Sequence, residues 1–356
     1  MEFLNSFLSL VLHIAFTAFL VVYLPLSLVW RLAAWLFVRP FTKEDLKGKA
    51  VLITGASSGI GEQLAYEYAK RGASIALVAR RQHALNTVAD EARKRGASDV
   101  LVLPADISKP EDAKRVVDET VARFGKLNHL VANAGIWCCC FFEEITNITA
   151  FTEIMDVNFW GAVYPTYYAL PHLKASRGKI IANTSVAGRV PTANMSFYNA
   201  SKAATIRFYE TLRSEFGSAI HITILLPGYV ESELTKGKAL QKGGTIEINE
   251  NARDVQIGPF PIGRTQTLAA VAVDGACRGD KYVTWPSWYK PFHMIMCAAP
   301  EIINWFSHSF YVAKEEGDPS SSLSKKVLVA TGAKDFLYPP SLRSNNIKME
   351  KNGAML

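Results

Sequence analysis

The sequence of 356 residues contains few cysteines and no basic run of the kind that follows a phosphate backbone, and each absence argues against a class of protein. Three of its five cysteines are consecutive, at Cys138, Cys139 and Cys140, and none belongs to a Cys-x-x-Cys pair or has a histidine at ligand spacing. This pattern argues against a disulfide framework and a zinc site, and it is typical of a reducing compartment. The net charge of +7 comes from scattered lysines and arginines. The sequence therefore predicts neither a nucleic-acid partner nor a metal.

Charged residues are also missing between Phe3 and Trp30, and the apolar run resumes after Arg31 and continues to Val38. This composition predicts a membrane anchor over residues 1–40. A helix of 36 residues would be roughly 54 Å long, against a hydrocarbon core of about 30 Å. Because Pro25 interrupts backbone hydrogen bonding, two shorter arms meeting there are expected, or a span followed by an interfacial segment.

A cleaved secretory signal is the alternative for this segment, but Glu2 is the one charge before Arg31, so the positive n-region of a signal is missing. Basic residues follow the apolar run at Arg31, Arg39, Lys43, Lys47 and Lys49. By the positive-inside rule, this basic collar predicts that the rest of the chain faces the cytosol.

A strand, a glycine turn and a helix follow the anchor. Residues 50–54 form a short apolar run, Gly55, Gly59 and Gly61 come next, and helical spacing then continues to Gly72. Free N–H groups and the dipole at the start of such a helix attract a diphosphate. We therefore expect a dinucleotide at this turn.

The cofactor is predicted from the end of the second strand, where Arg80 and Arg81 replace the acidic residue that an NAD binder carries. Arginine at this position suits a 2′-phosphate and predicts NADP(H), with a solvated strand end as the alternative. Further strands end at Asp106 and at Asn133. This alternation predicts an α/β fold with a doubly wound parallel sheet.

Four side chains suggest the chemistry of hydride transfer. Ser185 ends an apolar strand, Tyr198 follows thirteen residues later, and Lys202 lies one helical turn beyond it. A tyrosine can exchange a proton with an alcohol oxygen, and a nearby ammonium group is expected to lower its pKa. Ser185 can hold the substrate oxygen, and Asn158 can anchor a water that passes the proton onward.

Six motifs in register resemble those of the short-chain dehydrogenase/reductase family, over residues 48 to about 290. They are Thr54-Gly-x3-Gly-x-Gly61, Asn133-Ala-Gly135, Asn158, Ser185, Tyr198-x3-Lys202 and Pro227-Gly228. The resemblance implies a Rossmann-type fold, with Tyr198 as acid and base, Lys202 on the nicotinamide ribose as well as on the tyrosine pKa, and Ser185 on the substrate. Asn158 would hold the relay water. Ala132, where the family often has Asn, and Ser232, where Thr is usual, are mild departures.

The same resemblance implies a set of residues in contact with the cofactor, with Asp106 at the adenine and Val230 at the carboxamide. The set is Gly55, Ser57, Ser58, Gly59, Ile60, Gly61, Arg80, Arg81, Asp106, Asn133, Ala134, Gly135, Tyr198, Lys202, Pro227, Gly228, Val230 and Ser232.

Within this family the chain is most similar to the plant steroleosins, a group of oil-body hydroxysteroid dehydrogenases related to the 11β-hydroxysteroid enzymes. The segments that carry this likeness are Gly59-Ile-Gly-Glu-Gln-Leu-Ala-Tyr-Glu-Tyr68, Phe159-Trp-Gly-Ala-Val-Tyr164, Met195-Ser-Phe-Tyr-Asn-Ala-Ser-Lys202 and Pro227-Gly-Tyr-Val-Glu-Ser-Glu-Leu-Thr235. The likeness implies a sterol-like lipophilic substrate, an anchor in a lipid-droplet monolayer or the endoplasmic reticulum membrane, and a catalytic domain in the cytosol.

Family members also commonly pair as homodimers through two helices. Steroleosin anchors are usually described with two prolines, whereas here Pro25 alone lies within the main run and Pro40 ends it. A ketosphinganine-type or acyl-chain ketone reductase and a lipid-droplet scaffold protein stay open as alternative functions.

The region beyond these motifs is less regular. Between Glu231 and Arg264 the periodicity is weak, which predicts a mobile loop over the cleft. Residues 291–315 are apolar and aromatic; such a stripe indicates core or interface packing, a ligand-binding wall, or a surface resting on lipid. Residues 316–356 are polar and are expected to form a loosely held tail.

Overall fold

The computed structural model describes residues 1–37, 44–312 and 321–343, and it divides into two compact units, Met1–Asp45 and Leu46–Leu356. The first unit contains helix α1, Glu2–Phe37, which continues through Pro25. The helix tolerates the loss of the single hydrogen bond that a proline removes, so the chain stays helical at Pro25, and the two arms and the span with an interfacial segment stay predictions. The predicted anchor residue Pro40 and the collar residues Arg39 and Lys43 lie outside the described residues.

Helix α1 is long and apolar enough to cross a membrane. In its stretch Glu2–Trp30 the 18-residue window has a mean hydropathy of 2.3, and none of it is buried. Length and composition are the whole basis of this assignment, and a signal sequence near the N-terminus would share them.

A seven-stranded sheet forms the centre of the second unit, in the order β3-β2-β1-β4-β5-β6-β9, and its neighbours all pair in parallel. The strands are β1 Ala50–Thr54, β2 Ser74–Ala79, β3 Asp99–Pro104, β4 His129–Ala132, β5 Lys179–Asn183, β6 His221–Pro227 and β9 Tyr282–Trp285. The order reverses between β1 and β4, which opens a crevice at their carboxyl ends. The predicted Rossmann-type doubly wound fold is confirmed.

Helices cover both faces of this sheet. The α-helices described in the second unit are α2 Gly59–Lys70, α3 Gln82–Lys94, α4 Pro110–Phe124, α5 Thr152–Met155, α6 Gly161–Ser176, α7 Ser196–Phe216, α8 Glu250–Ile257, α9 Thr265–Arg278, α10 Lys290–Ala298, α11 Pro300–Tyr311, α12 Leu323–Ala330 and α13 Lys334–Leu337. Apolar side chains of α2, α3 and α9 pack on one face, and those of α4, α6 and α7 pack on the other. Strands such as β1 are buried on both faces and read as continuous apolar runs for that reason.

The stretch predicted as a mobile loop contains regular structure. Lys238–Leu240 and Ile246–Ile248 form the antiparallel hairpin β7–β8, and helix α8 follows. These elements were not predicted, because the strands are only three residues long and because α8 buries Arg253, Asp254 and Gln256 beside its apolar residues. Periodicity of hydrophobic residues cannot detect a helix whose buried face is largely polar.

The prediction of a loosely held tail is wrong for residues 321–343. Leu328, Tyr338 and Leu342 pack in one cluster with Ile257, the last residue of α8, and with Ile262. The neighbouring serines Ser322 and Ser324 are fully buried, so composition alone misrepresents this segment as solvent-exposed.

Candidate active site

A cavity of about 400 Å³ lies at the carboxyl ends of the parallel strands. The ends of β1, β2, β4 and β5 form one side of it, and residues from Pro227 onward form the other. Every predicted site residue except Asn158 and Lys202 lines this cavity. The fold therefore brings together residues that are separated by up to 177 positions, from Gly55 to Ser232.

In the glycine turn that leads from β1 into α2, Gly55 and Gly61 have no room for a side chain. A Cβ on Gly61 would lie 2.2 Å from the Gly55 carbonyl oxygen and 2.5 Å from Asn133 Nδ2. Gly55 adopts a φ of +65°, and a Cβ there would lie 2.8 Å from the Ala134 Cα. The turn can therefore pack against β4 while helix α2 presents its first N–H groups to the cavity, an arrangement that suits a diphosphate.

Polar side chains join the ends of the three central strands. Thr54 Oγ1 accepts hydrogen bonds from the backbone N–H groups of Asn133 and Ala134, at 2.9 and 3.1 Å. The Asn133 amide donates to the Thr54 carbonyl at 2.8 Å, and Asn183 Nδ2 donates to Asn133 Oδ1 at 2.8 Å. Asn183 Oδ1 is a buried oxygen without a partner among the described residues, and Asn183 lines the cavity.

The two arginines after β2 have different surroundings. Arg81 Nη2 donates to Ser57 Oγ at 3.1 Å and to Ser58 Oγ at 2.9 Å, so its guanidinium group lies beside the glycine turn. Arg80 instead forms an ion pair with Glu153, at 3.9 Å. Ser58 precedes α2 but makes no side-chain hydrogen bond to the helix, which leaves its hydroxyl to Arg81.

Three other predicted cofactor residues line the cavity at the positions that the motifs require. The Asp106 carboxylate accepts hydrogen bonds from Ser108 N and Oγ, at 3.1 and 2.7 Å. Ser232 lies over the glycine turn, since its Cβ would be 3.3 Å from a Cβ on Gly59. Val230 is buried, and its segment pairs with Gly263.

Tyr198 and Ser185 lie together inside the cavity. Burial raises the pKa of the Tyr198 phenol to about 12, although its hydrogen bond with Ser185 acts in the opposite direction. Ser185 Oγ accepts a hydrogen bond from Ala187 N at 3.1 Å and donates to the Pro227 carbonyl at 3.4 Å. At neutral pH Tyr198 is therefore a phenol, the form that donates a proton.

Lys202 lies behind the cavity wall, one helical turn from Tyr198. Its Nζ donates to the Asn183 carbonyl at 3.3 Å and lies 5.7 Å from the centre of the Tyr198 ring. Burial lowers the pKa of Lys202 to about 8. This ammonium group was expected to lower the pKa of Tyr198. That pKa is raised instead, because desolvation dominates the pKa of both groups.

Asn158 has a positioning contact that the motif alone did not reveal. Its Oδ1 accepts from Ile136 N at 2.8 Å, and its Nδ2 donates to the Ile136 carbonyl and to Ser201 Oγ, both at 2.9 Å. It lies in a π-helical turn, Asp156–Trp160, a distortion that re-aims side chains. The side chain thus ties the segment after Gly135 to α7, while the relay water stays a prediction.

Aromatic residues that sequence reasoning did not assign to the site form the far wall. Trp288 and Tyr289 stack at 3.8 Å between ring centres, and Phe292 packs against both. Phe306 and Tyr311 of α11 line the same cavity. The aromatic stripe of residues 291–315 is therefore partly a cavity wall, and a cis-proline turn at Trp285-Pro286 precedes it.

Tyr229 and Trp137 are two further wall residues that lie directly beside recognised motifs. Tyr229 follows Pro227-Gly228, and Trp137 follows Asn133-Ala-Gly135 by one residue. Trp137 Nε1 donates to the Lys238 carbonyl at 2.7 Å, which joins the wall to hairpin β7–β8. Their closeness to the motifs is the signal that would have found them.

Comparison with curated proteins gives close relatives over the whole chain. It is 46% identical over 354 residues to "11-beta-hydroxysteroid dehydrogenase A" of Arachis hypogaea, covering 98% of this chain and 100% of that protein. It is also 46% identical to "11-beta-hydroxysteroid dehydrogenase 1A" of Arabidopsis thaliana, with the same two coverages.

Solved structures are similar over the catalytic unit. A short-chain type dehydrogenase/reductase from Mycobacterium marinum superposes with a TM-score of 0.61 at 27% identity, covering 69% of this chain and 97% of that one. An alcohol dehydrogenase from Thermococcus sibiricus, solved with 5-hydroxy-NADP, gives 0.56 at 26% identity, with 68% and 97% coverage.

The sequence profile of the family described as short chain dehydrogenase matches residues 49–243, which include the glycine turn, Ser185, Tyr198 and Lys202. Together with the parallel sheet and the cavity at its switch point, this match settles the family. The chain belongs to the short-chain dehydrogenase family, and it is an oxidoreductase that acts on CH–OH groups with a nicotinamide cofactor.

Proposed function

We propose that this protein is an NADP-dependent hydroxysteroid dehydrogenase that interconverts hydroxyl and keto groups of steroids, sterols or related polycyclic lipids. We further propose that α1 anchors it in a lipid droplet or the endoplasmic reticulum membrane, with the catalytic unit in the cytosol. The observation that carries the proposal is the Tyr198–Ser185 pair in a cavity that also has an aromatic wall. The full-length relatives named as 11-beta-hydroxysteroid dehydrogenases support the substrate class.

The residues present fit a nicotinamide dinucleotide. The glycine turn is a cradle that a Cβ would fill, and the unpartnered Asn183 Oδ1 belongs to a residue that lines the cavity beside it. When bound, this cofactor supplies or accepts the hydride. Arg81, Ser57 and Ser58 are three side chains that can donate hydrogen bonds beside the end of β2, and they would hold a 2′-phosphate there.

The proton is handled by side chains of the chain itself. In reduction, the Tyr198 phenol donates its proton to the substrate oxygen, which Ser185 holds by a hydrogen bond. The positive charge of Lys202 favours the phenolate that results, because an opposite charge stabilises the ionised form. Asn158 keeps the backbone beside Gly135 in place, so that Lys202 keeps its position next to the cavity.

The aromatic wall supports an apolar, rigid substrate. Rings such as those of Trp288, Phe292 and Phe306 offer broad apolar faces that stack on a polycyclic skeleton at low cost in conformational entropy. A flexible acyl chain would lose more rotational freedom on entering the same space.

The faces of α10 and α11 that do not line the cavity are suited to contact with a lipid surface. Met294 is 70% exposed and Trp305 69% exposed, and Ile302 lies near them on the surface of α11. We propose that this face rests on the monolayer, so that lipid-dissolved substrate enters without crossing water. Trp288 and Phe292 line the cavity and are not part of this face. Pairing of two copies stays a prediction.

The lipid contact is tested by flotation of residues 44–356 with artificial droplets. Met294→Asp combined with Trp305→Asp is expected to reduce the bound fraction severalfold. The matched control is Tyr167→Asp, an exposed aromatic residue of α6. Equal binding by the unchanged protein and the double variant would contradict the contact.

The activity is tested by incubating the full chain, in detergent micelles, with NADPH and a mixed panel of steroid and sphingoid ketones, read by mass spectrometry. Reduction of steroid ketones alone is the expected result. Preferential turnover of 3-ketosphinganine-type ketones would show that sphingoid ketones, and not steroids, are the substrate class. If NADPH binds but no ketone is turned over, the result would favour a scaffold role.

A further inference from the structure

The C-terminal segment, residues 321–343, lies beyond the part of the chain that matches the family profile, which ends at residue 243. It nevertheless packs tightly against the catalytic unit through Leu328, Tyr338 and Leu342. Cavity-lining Tyr229 packs against the same cluster. A segment beyond the profile match thus reaches the wall of the site.

One set of contacts joins this segment to α8. Ser324 Oγ donates to the Val255 carbonyl at 2.7 Å, and Lys334 Nζ donates to Asp254 Oδ2 at 2.8 Å. Tyr338 OH donates to the Gly258 carbonyl at 2.9 Å, at the end of the helix. The other oxygen of Asp254 accepts from buried Arg253 at 2.8 Å, so Lys334 completes a buried cluster of charges.

A second set joins it to the backbone that follows Pro227-Gly228. Ile262 N donates to the Leu337 carbonyl at 3.2 Å. The next residue, Gly263, donates to the Tyr229 carbonyl at 3.0 Å and accepts from Glu231 N at 2.9 Å. Residues 262–263 therefore form a bridge between the C-terminal segment and the cavity wall.

Both ends of Tyr229 make hydrogen bonds along these two routes. Its carbonyl is held by Gly263, and its hydroxyl donates to the Gln256 carbonyl at 2.7 Å and accepts from Gln256 Nε2 at 3.3 Å. Gln256 belongs to α8, which Ser324, Lys334 and Tyr338 hold in place. Between the two routes lies Val230, which is buried and lines the cavity.

We infer that residues 321–343 are a positioning element of the active site, in which Lys334 and Tyr338 hold α8 and the 262–263 bridge so that Tyr229 and Val230 form the cavity wall. The hydrogen bonds that join the segment to α8 and to Ile262 reach neither Tyr198 nor Lys202. It acts on how tightly cofactor and substrate are held and leaves the proton-transfer groups unchanged.

The test combines Lys334→Met with Tyr338→Phe in the full chain, which keeps the apolar body of both side chains. Lys326→Met is the matched control, because Lys326 is an exposed lysine of α12. Val88→Ala, buried in α3, is the control for lost stability at a remote place. Two properties are measured: amide hydrogen exchange, and the Kd of NADPH by fluorescence titration.

In the double variant, exchange in peptides covering residues 229–231 and 262–263 should accelerate roughly tenfold, while peptides of β1 exchange as before. The Kd of NADPH should rise about three- to tenfold, with kcat at saturation changed less than about twofold. Lys326→Met should match the unchanged protein in all of these. Should the double variant fail to fold, Tyr338→Phe alone is expected to give the same local pattern at smaller size.

Two results would overturn the inference. One is unchanged exchange at 229–231 in the double variant. The other is acceleration spread over the whole unit in proportion to lost stability, as in Val88→Ala, with an unchanged Kd. Neither readout depends on the steroid assignment, so a failure here is distinct from a failure of the proposed substrate class.

Discussion

The cofactor end of the cavity is lined by glycines and strand termini, whereas the substrate end is lined by aromatic side chains from several separate segments. At the first end, close contacts join backbone to backbone, as between Gly61 and the Gly55 carbonyl. At the second end, close contacts join backbone to rings, as between Gly228 and Tyr289, where a Cβ would lie 1.8 Å from the ring. The first end can hold one ligand geometry only, and the second can repack around different skeletons.

The largest difference between the two ends should come from adding one methyl group. Gly61→Ala should weaken NADPH binding more than about 100-fold or lower the melting temperature strongly, because the Gly55 carbonyl cannot move away. Gly228→Ala can displace the Tyr289 ring and should keep NADPH binding within about tenfold. Fluorescence titration and thermal melting measure both. Equal losses in the two variants would break the comparison.

Cofactor preference should depend on one arginine more than on its neighbour. Arg81→Ala should lower the ratio of kcat/KM for NADPH over NADH about 10- to 100-fold, since a charge-assisted contact with the 2′-phosphate is lost. Arg80→Ala is the control and should have a smaller effect, because Arg80 pairs with Glu153. A chain that prefers NADH before any substitution would refute the NADP assignment.

At the substrate end, Trp288→Ala should raise KM for the steroid ketone about tenfold, because the stacked wall with Tyr289 and Phe260 loses its largest ring. The Kd of NADPH should stay within about twofold. Tyr167→Ala is the control, since it removes an exposed aromatic ring of α6 that does not line the cavity. Steady-state kinetics in detergent micelles should show no change for this control.

The smallest effect expected is that of pH. Burial lowers the pKa of Lys202 to about 8, so its charge is present below that value and is lost as the pH rises through it. Tyr198 stays protonated over this range, because its pKa is raised to about 12. The rate of ketone reduction should therefore fall to about half at pH 8 relative to pH 7. A rate that stays constant to pH 9 would show that the pKa of Lys202 lies well above 8 and would contradict this pH dependence.

The difference between the cofactor end and the substrate end also explains which parts of the site could be predicted from the sequence. The glycine turn and Tyr198 with Lys202 were predicted because their chemistry requires fixed local spacing, and each of them lies within one or two elements. Tyr289 and Phe306 were not assigned to the site, since an aromatic residue at helical spacing serves a core equally well. Which of these rings faces the cavity depends on the path that the chain takes after Trp285, and the sequence does not show that path.

Long-range hydrogen bonding was equally hidden from the sequence. The contact of Lys334 with Asp254 joins residues 80 positions apart, and the serines beside it look solvent-exposed by composition. The shift in the pKa of Tyr198 was predicted with the wrong sign, because burial of the hydroxyl cannot be read from a Tyr-x3-Lys motif. Burial is a property of the assembled unit.

The most direct test of this account is Tyr198→Phe, measured for NADPH binding and for reduction of a steroid ketone under the same conditions. The account predicts a Kd for NADPH within about threefold of the unchanged protein and a loss of kcat of at least about 1,000-fold, since a phenyl ring fills the same place but carries no proton. NADPH-dependent reduction that survives this substitution would contradict the assignment of Tyr198 as the proton donor.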